Sequence, residues 1–105
     1  MKCKKIVVTG MGALSPNGNS VEKFWSNSIK GKSGIGKITY FDTTDHKVTI
    51  AGELSSFDPK LVIDSKDIRK LDPFSIYAIT AANEAITMAG LNPEILNLNR
   101  VGVTI

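Results

Sequence analysis

The sequence predicts an α/β fold, because short β-branched runs alternate with helical patterns along its 105 residues. Residues 5–10, KIVVTG, form a compact β-branched run that ends in glycine, which is typical of a buried strand. Residues 64–91 repeat apolar and small side chains at steps of three and four, which is typical of a helix. With strand-like runs at 48–54 and 100–105, the predicted order is strand, helix, strand, long helix, strand, in an unfinished sheet.

The long helix is expected to begin twice. Ser65 is a candidate cap for a first turn, and Asp72 followed by Pro73 repeats the start signal one turn later, so a bend is predicted at residues 71–73. Gly90 suits the left-handed position that ends a helix, with Leu91 folding back. One face is almost entirely alanine, which lets another backbone approach closely. Its members are Phe74, Ala78, Ala81, Ala82, Ala85 and Ala89.

An earlier helix is predicted over residues 20–30. Asn19 is its expected cap, Glu22 can reach back to the cap amide, and Gly31 supplies the stop. Trp25 lies on the apolar stripe of this helix, so packing is favoured over ligand stacking. Between this helix and the run at 48–54, residues 33–36 are expected to form a flexible connection, and residues 37–41 a short extended segment.

Two glycine-containing segments invite comparison with phosphate-binding loops. Gly10 and Gly12 follow a strand, but Ser15 stands where the third glycine of a dinucleotide turn belongs, and Pro16 follows it. Residues 31–33, GKS, would need a glycine at position 26, which is Ser26, and they end a helix rather than begin one. A nucleotide-binding domain is therefore disfavoured, and no cofactor-binding residue is predicted.

Composition and charge narrow the classes of function. The chain has 13 basic and 10 acidic residues, spread along an ordinary composition for one soluble globular unit, so a solvated surface is favoured over nucleic-acid binding. Cys3 is the only cysteine and His46 the only histidine, which predicts no intrachain disulfide, no metal site and a reducing compartment. No apolar run reaches the roughly 20 residues of a membrane span, so we expect a cytoplasmic protein.

Several separated motifs then point to one family. In order, they are KIVVTGMGALSPNGNSVEKFW, GKSGI, FDTTD, IAGEL, DSKDIRKLDPFSIYAITAANEAI, MAGL and RVGVTI. Together they closely resemble the N-terminus of the 3-oxoacyl-[acyl-carrier-protein] synthases, most closely the type II enzyme, over essentially the whole chain. The resemblance implies a thiolase-like fold of α/β/α layers with a mixed sheet. Residues 1–105 are then the truncated, incomplete N-terminal part of the synthase N-terminal domain.

The resemblance also implies an activity, decarboxylative Claisen condensation of acyl groups with malonyl-carrier protein in fatty acid elongation. An acyl-accepting cysteine and two histidines perform it in the family, and they lie downstream of Ile105. Cys3 and His46 match no catalytic motif, so no catalytic residue is assigned in this chain. The implied partners are acyl carrier protein and a second copy in a homodimer. Two alternatives stay open, an inactive fragment that keeps only the fold and a ketosynthase domain of the polyketide type.

One functional feature maps residue by residue. Lys66, Arg69 and Lys70 stand at positions i, i+3 and i+4 of the long helix's first turns, so their charges share a face. They match the basic residues that meet the acidic helix of the carrier protein in similar family members. Without the family, such a cluster is more often a plain solvated face. Asp67 in the same turn weakens the local positive field.

Overall fold

The computed structural model describes residues 3–105. Its helices and strands are short apart from one. They are α1 (Val21–Ile29), β1 (Ile35–Lys37), β2 (Ile50–Gly52), α2 (Ser65–Ile68) and α3 (Pro73–Met88), with 3-10 turns at Pro59–Leu61 and Leu98–Arg100. Over the described residues, no helix is both long and apolar enough to cross a membrane.

The sheet is an antiparallel pair in which Ile35 faces Gly52 and Lys37 faces Ile50. The run predicted at 48–54 therefore forms a strand only in its centre. The partner strand, β1, begins at Ile35, two residues before the predicted extended segment at 37–41. It therefore starts inside residues 33–36, which were expected to form a flexible connection. Just beyond the strands, the Ile38 amide donates to the Thr49 carbonyl at 3.0 Å, and the Thr39 amide donates to the Glu53 carboxylate at 2.9 Å.

The predictions of strands at 5–10 and 100–105 are wrong for this structure. Both segments lack strand pairing within residues 3–105. A strand is defined by ladder hydrogen bonds to a neighbour, and a β-branched sequence supplies only the tendency to extend. The apolar side chains accordingly face solvent, with Ile6 95% and Val103 84% exposed.

Helix α1 forms where predicted, but a different residue caps it. Ser20 is the N-cap, and its hydroxyl accepts a hydrogen bond from the Lys23 amide at 3.2 Å. Asn19 instead donates through its side-chain amide to the carbonyl of Ser55, 2.7 Å away. Glu22 does not close the predicted capping box, and Trp25 is 63% exposed rather than packed within the described chain.

The double start of the long helix is confirmed. Helices α2 and α3 are separate, and Pro73 is the first residue of α3. Asp64 occupies the N-cap position of α2, without a side-chain capping bond within the described residues, and Ser65 lies inside the helix. At the other end, Gly90 has a φ of 64°. Its amide donates to the Thr87 carbonyl at 3.1 Å, and the next amide, that of Leu91, donates to the carbonyl of Ile86 at 3.2 Å. These two bonds are the predicted Schellman ending.

Little of the described chain is buried. Ile63 and Ile76 are the buried apolar side chains, 8% and 7% exposed. The radius of gyration is 17.6 Å, whereas a compact chain of this length has about 13 Å. The single globular unit expected from composition is thus not what residues 3–105 form, and with two strands in the sheet they do not show the predicted α/β/α layers.

Candidate functional site: a basic cluster at the start of the long helix

The three basic residues predicted to bind a carrier protein lie together. Lys66 is in α2, Arg69 is its C-cap, and Lys70 follows, with its amide bonded to the Asp67 carbonyl at 2.9 Å. This tight turn keeps the chain helical past the end of α2, so the three side chains point to one side. All three are exposed and line the same surface depression, and we call them the basic cluster.

Asp67 is the acidic member of this turn. Its carboxylate lies 3.3 Å from the Lys70 ammonium, and both side chains are largely exposed. An exposed pair of this kind is worth about 0–1 kcal/mol, so it orients Lys70 more than it stabilises the fold. Within residues 3–105, Lys66 and Arg69 form no ion pair. The cluster therefore presents a net positive surface to solvent.

A second depression adjoins the first, and Lys70 lines both. Its volume is about 550 Å³. Its apolar lining consists of Val62, Ile63, Leu71 and Ile79, and we call it the apolar depression. The 3-10 turn before α2 positions this lining, because the amide of Ile63 bonds to the carbonyl of Pro59 at 2.9 Å. Two carboxylates, those of Asp64 and Asp67, stand at its edge.

Cys3 and His46, for which the sequence predicts no catalytic role, do not lie together. Cys3 is exposed and precedes residues 5–10, which pair with no strand within residues 3–105. His46 stacks edge to face on Phe41, with 5.5 Å between ring centroids, in an exposed loop. Among residues 3–105, no group of three or more His, Cys, Asp or Glu side chains is placed to hold a metal ion.

Gly10 and Gly12 have a packing role. A Cβ at Gly10 would overlap the Ala85 carbonyl oxygen, and one at Gly12 would overlap that of Ala81. The N-terminal segment therefore lies directly on the alanine face of α3, the close backbone approach that this face predicts. The closely spaced glycines that invited comparison with a phosphate-binding loop are explained by this contact.

Sequence reasoning missed Glu84, which sits half-buried in the middle of the alanine face. Its carboxylate accepts hydrogen bonds from the Ala13 amide at 2.9 Å and the Val21 amide at 2.8 Å. It thereby joins α3 to both the N-terminal segment and the first turn of α1, where a negative charge suits the helix dipole. The available signal was a lone carboxylate flanked by alanines.

The family is decided by a comparison with family models. The model described as the beta-ketoacyl synthase N-terminal domain matches residues 3–105. The chain belongs to the beta-ketoacyl synthase family. The family predicted from the ordered motifs is therefore confirmed.

Two relatives of this beta-ketoacyl synthase chain are each called 3-oxoacyl-[acyl-carrier-protein] synthase 2. The protein from Staphylococcus aureus strain COL is 48% identical over 102 residues, which are 97% of this chain and 25% of that protein. The protein from Coxiella burnetii is 43% identical over 105 residues, which are all of this chain and 25% of that protein. The chain thus spans about a quarter of the length of these curated relatives.

Solved structures similar to this beta-ketoacyl synthase chain are also ketosynthases. The ishigamide ketosynthase/chain length factor superposes with a TM-score of 0.77 at 33% identity, covering 86% of this chain and 22% of that one. A type II PKS acyl-carrier protein in complex with its ketosynthase, bound to the hexaketide, gives a TM-score of 0.68 at 32% identity, covering 90% and 23%. Residues 3–105 thus fold like part of a ketosynthase, and their own sheet has two strands.

Proposed function

We propose that this chain is the N-terminal part of a 3-oxoacyl-[acyl-carrier-protein] synthase of fatty acid elongation, and that its basic cluster docks acyl carrier protein. The observation that carries the proposal is the identity of 43–48% to two such synthases over nearly the whole chain. The ketosynthases of the solved structures are 32–33% identical. The fatty acid type is therefore favoured over the polyketide type.

The proposed reaction forms a carbon–carbon bond. Malonyl-carrier protein loses carbon dioxide, the resulting carbanion attacks an acyl group held as a thioester on a cysteine, and the cysteine thiolate leaves. That cysteine needs a lowered thiol pKa and nearby donors for the oxyanion. Cys3 is exposed and outside every helix of the described residues, so we assign the chemistry to the part of the protein beyond Ile105.

The proposed contribution of this chain is to bring the carrier protein to the enzyme. Three exposed cations on one side of a turn attract an acidic partner and raise its association rate in a salt-dependent way. The similar ketosynthase structure that contains an acyl-carrier protein supports a partner of this class. A homodimer and a cytoplasmic location stay predictions from the sequence.

The test is a condensation assay with the full-length protein. We expect acyl- and malonyl-carrier protein to yield 3-oxoacyl product and carbon dioxide in equal amounts. The double variant Lys66→Glu with Arg69→Glu should raise the KM for carrier-bound substrate about tenfold and leave kcat nearly unchanged, because docking is lost and chemistry is kept. A coenzyme A thioester lacks the carrier-protein surface, so the parent protein and the double variant should condense it at equal rates.

Lys32→Glu with Lys47→Glu is the matched charge control, because both lysines are exposed and lie outside the depression formed by the basic cluster. Equal KM values for the double variant and this control would refute the docking assignment. Absence of any condensation product from the full-length protein would refute the enzymatic assignment and favour the inactive alternative. Product formation only from polyketide carrier substrates would favour the polyketide type.

A further inference from the structure

Two backbone amides of the N-terminal segment are hydrogen-bonded to side chains of α3. The amide of Ala13 donates to the Glu84 carboxylate at 2.9 Å, and the amide of Met11 donates to the Sδ atom of Met88 at 3.4 Å. A thioether sulfur is a weak acceptor, and an oxidant converts it into a different group, the sulfoxide, which does not happen to a carboxylate. The bond between Met11 and Met88 is therefore the chemically labile one of the two.

The sulfur of Met88 is accessible to a dissolved oxidant. Met88 is the last residue of α3, and its side chain is 51% exposed. The Met11 amide occupies one lone pair of the sulfur, and the second lone pair is free to attack hydrogen peroxide. In that attack an S–O bond forms while the O–O bond breaks. The transferred oxygen gives its proton to the departing hydroxide, which leaves as water, so the sulfur loses two electrons and the peroxide gains two.

The sulfoxide is too large for the present contact. Only 3.4 Å separates the Met11 nitrogen from the sulfur, so an oxygen placed between them would push the segment away from α3. An outward shift would break the close contacts that Gly10 and Gly12 make with the α3 backbone on either side of Met11. If the oxygen turns into the water instead, the Met88 side chain turns with it and the Met11 amide loses its acceptor. Both arrangements weaken the attachment of the segment to α3.

We propose that Met88 is an oxidation site, and that its conversion to the sulfoxide releases residues 10–12 from the end of α3. The oxidant is a peroxide, and methionine sulfoxide reductases return the side chain to the thioether, so the link between the two segments is reversible and redox-sensitive. The proposal does not depend on the proposed function, because neither Met11 nor Met88 belongs to the basic cluster.

The experiment measures amide hydrogen exchange of the full-length protein by mass spectrometry, before and after treatment with hydrogen peroxide. We expect Met88 to gain one oxygen atom. Peptides that cover residues 10–12 should then exchange about tenfold faster, because the loss of a hydrogen bond and its supporting contacts lowers the free energy of local opening. Treatment of the oxidised protein with methionine sulfoxide reductases A and B should restore the original exchange rate.

Met88→Leu is the test variant, since leucine has a similar volume and no sulfur. Whatever its starting value, the exchange rate of residues 10–12 in this variant should be the same before and after peroxide. Met11→Leu is the matched control, because it removes a thioether of similar exposure, 54% against 51%, and keeps the backbone amide that bonds to Met88. This control should respond to peroxide as the parent protein does.

Three results would overturn the proposal. In the first, Met88 stays unoxidised at a peroxide concentration that oxidises Met11. In the second, Met88 is oxidised and the exchange of residues 10–12 does not change. In the third, peroxide accelerates this exchange equally in the parent and in Met88→Leu. Peroxide also attacks cysteine, but Cys3 is present in both proteins, so its oxidation does not account for a difference between them.

Discussion

The carboxylate of Glu84 accepts a hydrogen bond from the backbone amide of Val21 at 2.8 Å, across 63 positions of sequence. Its other oxygen holds the amide of Ala13 at 2.9 Å. One side chain thus joins α3 to the N-terminal segment and to the first turn of α1. In a chain with little buried surface, such charge-assisted bonds carry a larger share of the tertiary structure.

We predict that Glu84→Gln lowers the free energy of unfolding of the full-length protein by about 1–3 kcal/mol. The glutamine side chain has an NH₂ group in place of one carboxylate oxygen. An NH₂ group cannot accept a hydrogen bond, so one of the two backbone amides loses its acceptor. Urea unfolding is the measurement. Glu22→Gln is the control, because this exposed carboxylate stands in the first turn of α1 and makes no such bond within the described residues. Equal stability of the two variants would show that Glu84 is dispensable.

Gly12→Ala should destabilise the protein by roughly 1–3 kcal/mol through overpacking. The added methyl group overlaps the backbone of Ala81, which cannot move without distorting α3. Gly36→Ala is a suitable control, since a Cβ there meets no atom within 4 Å. Thermal unfolding of both variants decides the matter. A Gly12→Ala protein as stable as Gly36→Ala would mean that the N-terminal segment does not lie on α3.

Protonation of Glu53 should destabilise the segment that joins β1 to β2, because the carboxylate accepts hydrogen bonds from Thr39 and Tyr40 there. Desolvation raises the pKa of its carboxyl, but hydrogen bonds from the Thr39 side chain and amide and from the Tyr40 amide outweigh it, so the pKa lies below its ordinary value of 4.5. A lowered folded pKa means that the stabilisation is complete above 4.5 and is lost as the pH falls through the folded pKa.

The chemical shift of the Thr39 amide proton is the appropriate probe for this titration. Its midpoint should lie below pH 4.5, and Glu53→Gln should abolish the titration. A midpoint at or above the ordinary value would show that the carboxylate does not accept these bonds in solution.

Asp67→Asn should increase the association rate with acyl carrier protein about twofold at low salt, because it removes the only carboxylate paired with the basic cluster within residues 3–105. The gain should vanish at high salt, where exposed charges are screened. Stopped-flow mixing measures the rate. Asp45→Asn removes an equal charge from a different exposed loop and should have no effect. A salt-independent gain would argue against steering.

The two local signals that bound the long helix were predicted correctly. Pro73 and Gly90 bound α3 as expected, because a fixed φ and a positive φ determine helix ends locally. The grouping of Lys66, Arg69 and Lys70 followed from helical spacing in the same way. The cap of α1 is Ser20 rather than the predicted Asn19. The side chain of Asn19 is instead hydrogen-bonded to the carbonyl of Ser55, a partner far along the chain.

Features that need a partner far along the chain were not predictable from sequence. The β-branched segment at Ile6 to Val8 pairs with no strand within residues 3–105, since its composition specifies no neighbouring strand. Glu84 was missed for a related reason, because both of its donors lie more than 60 residues away. The apolar depression joins side chains from the turn before α2 and from α3, and only the folded chain places Val62 beside Ile79.

The contact of Gly10 and Gly12 with the alanines of α3 limits how this protein can change. A bulkier residue on one side of a packed interface is commonly tolerated when the opposite side shrinks, but here one side is already glycine, and the overlap on the other side is with the backbone of alanines. Alanine could only become glycine, which costs about 1 kcal/mol in a helix interior and still leaves the carbonyl oxygens in place. Sequence drift and protein engineering therefore have no compensating pair of substitutions at this interface, and improvements in stability must be sought elsewhere in the chain.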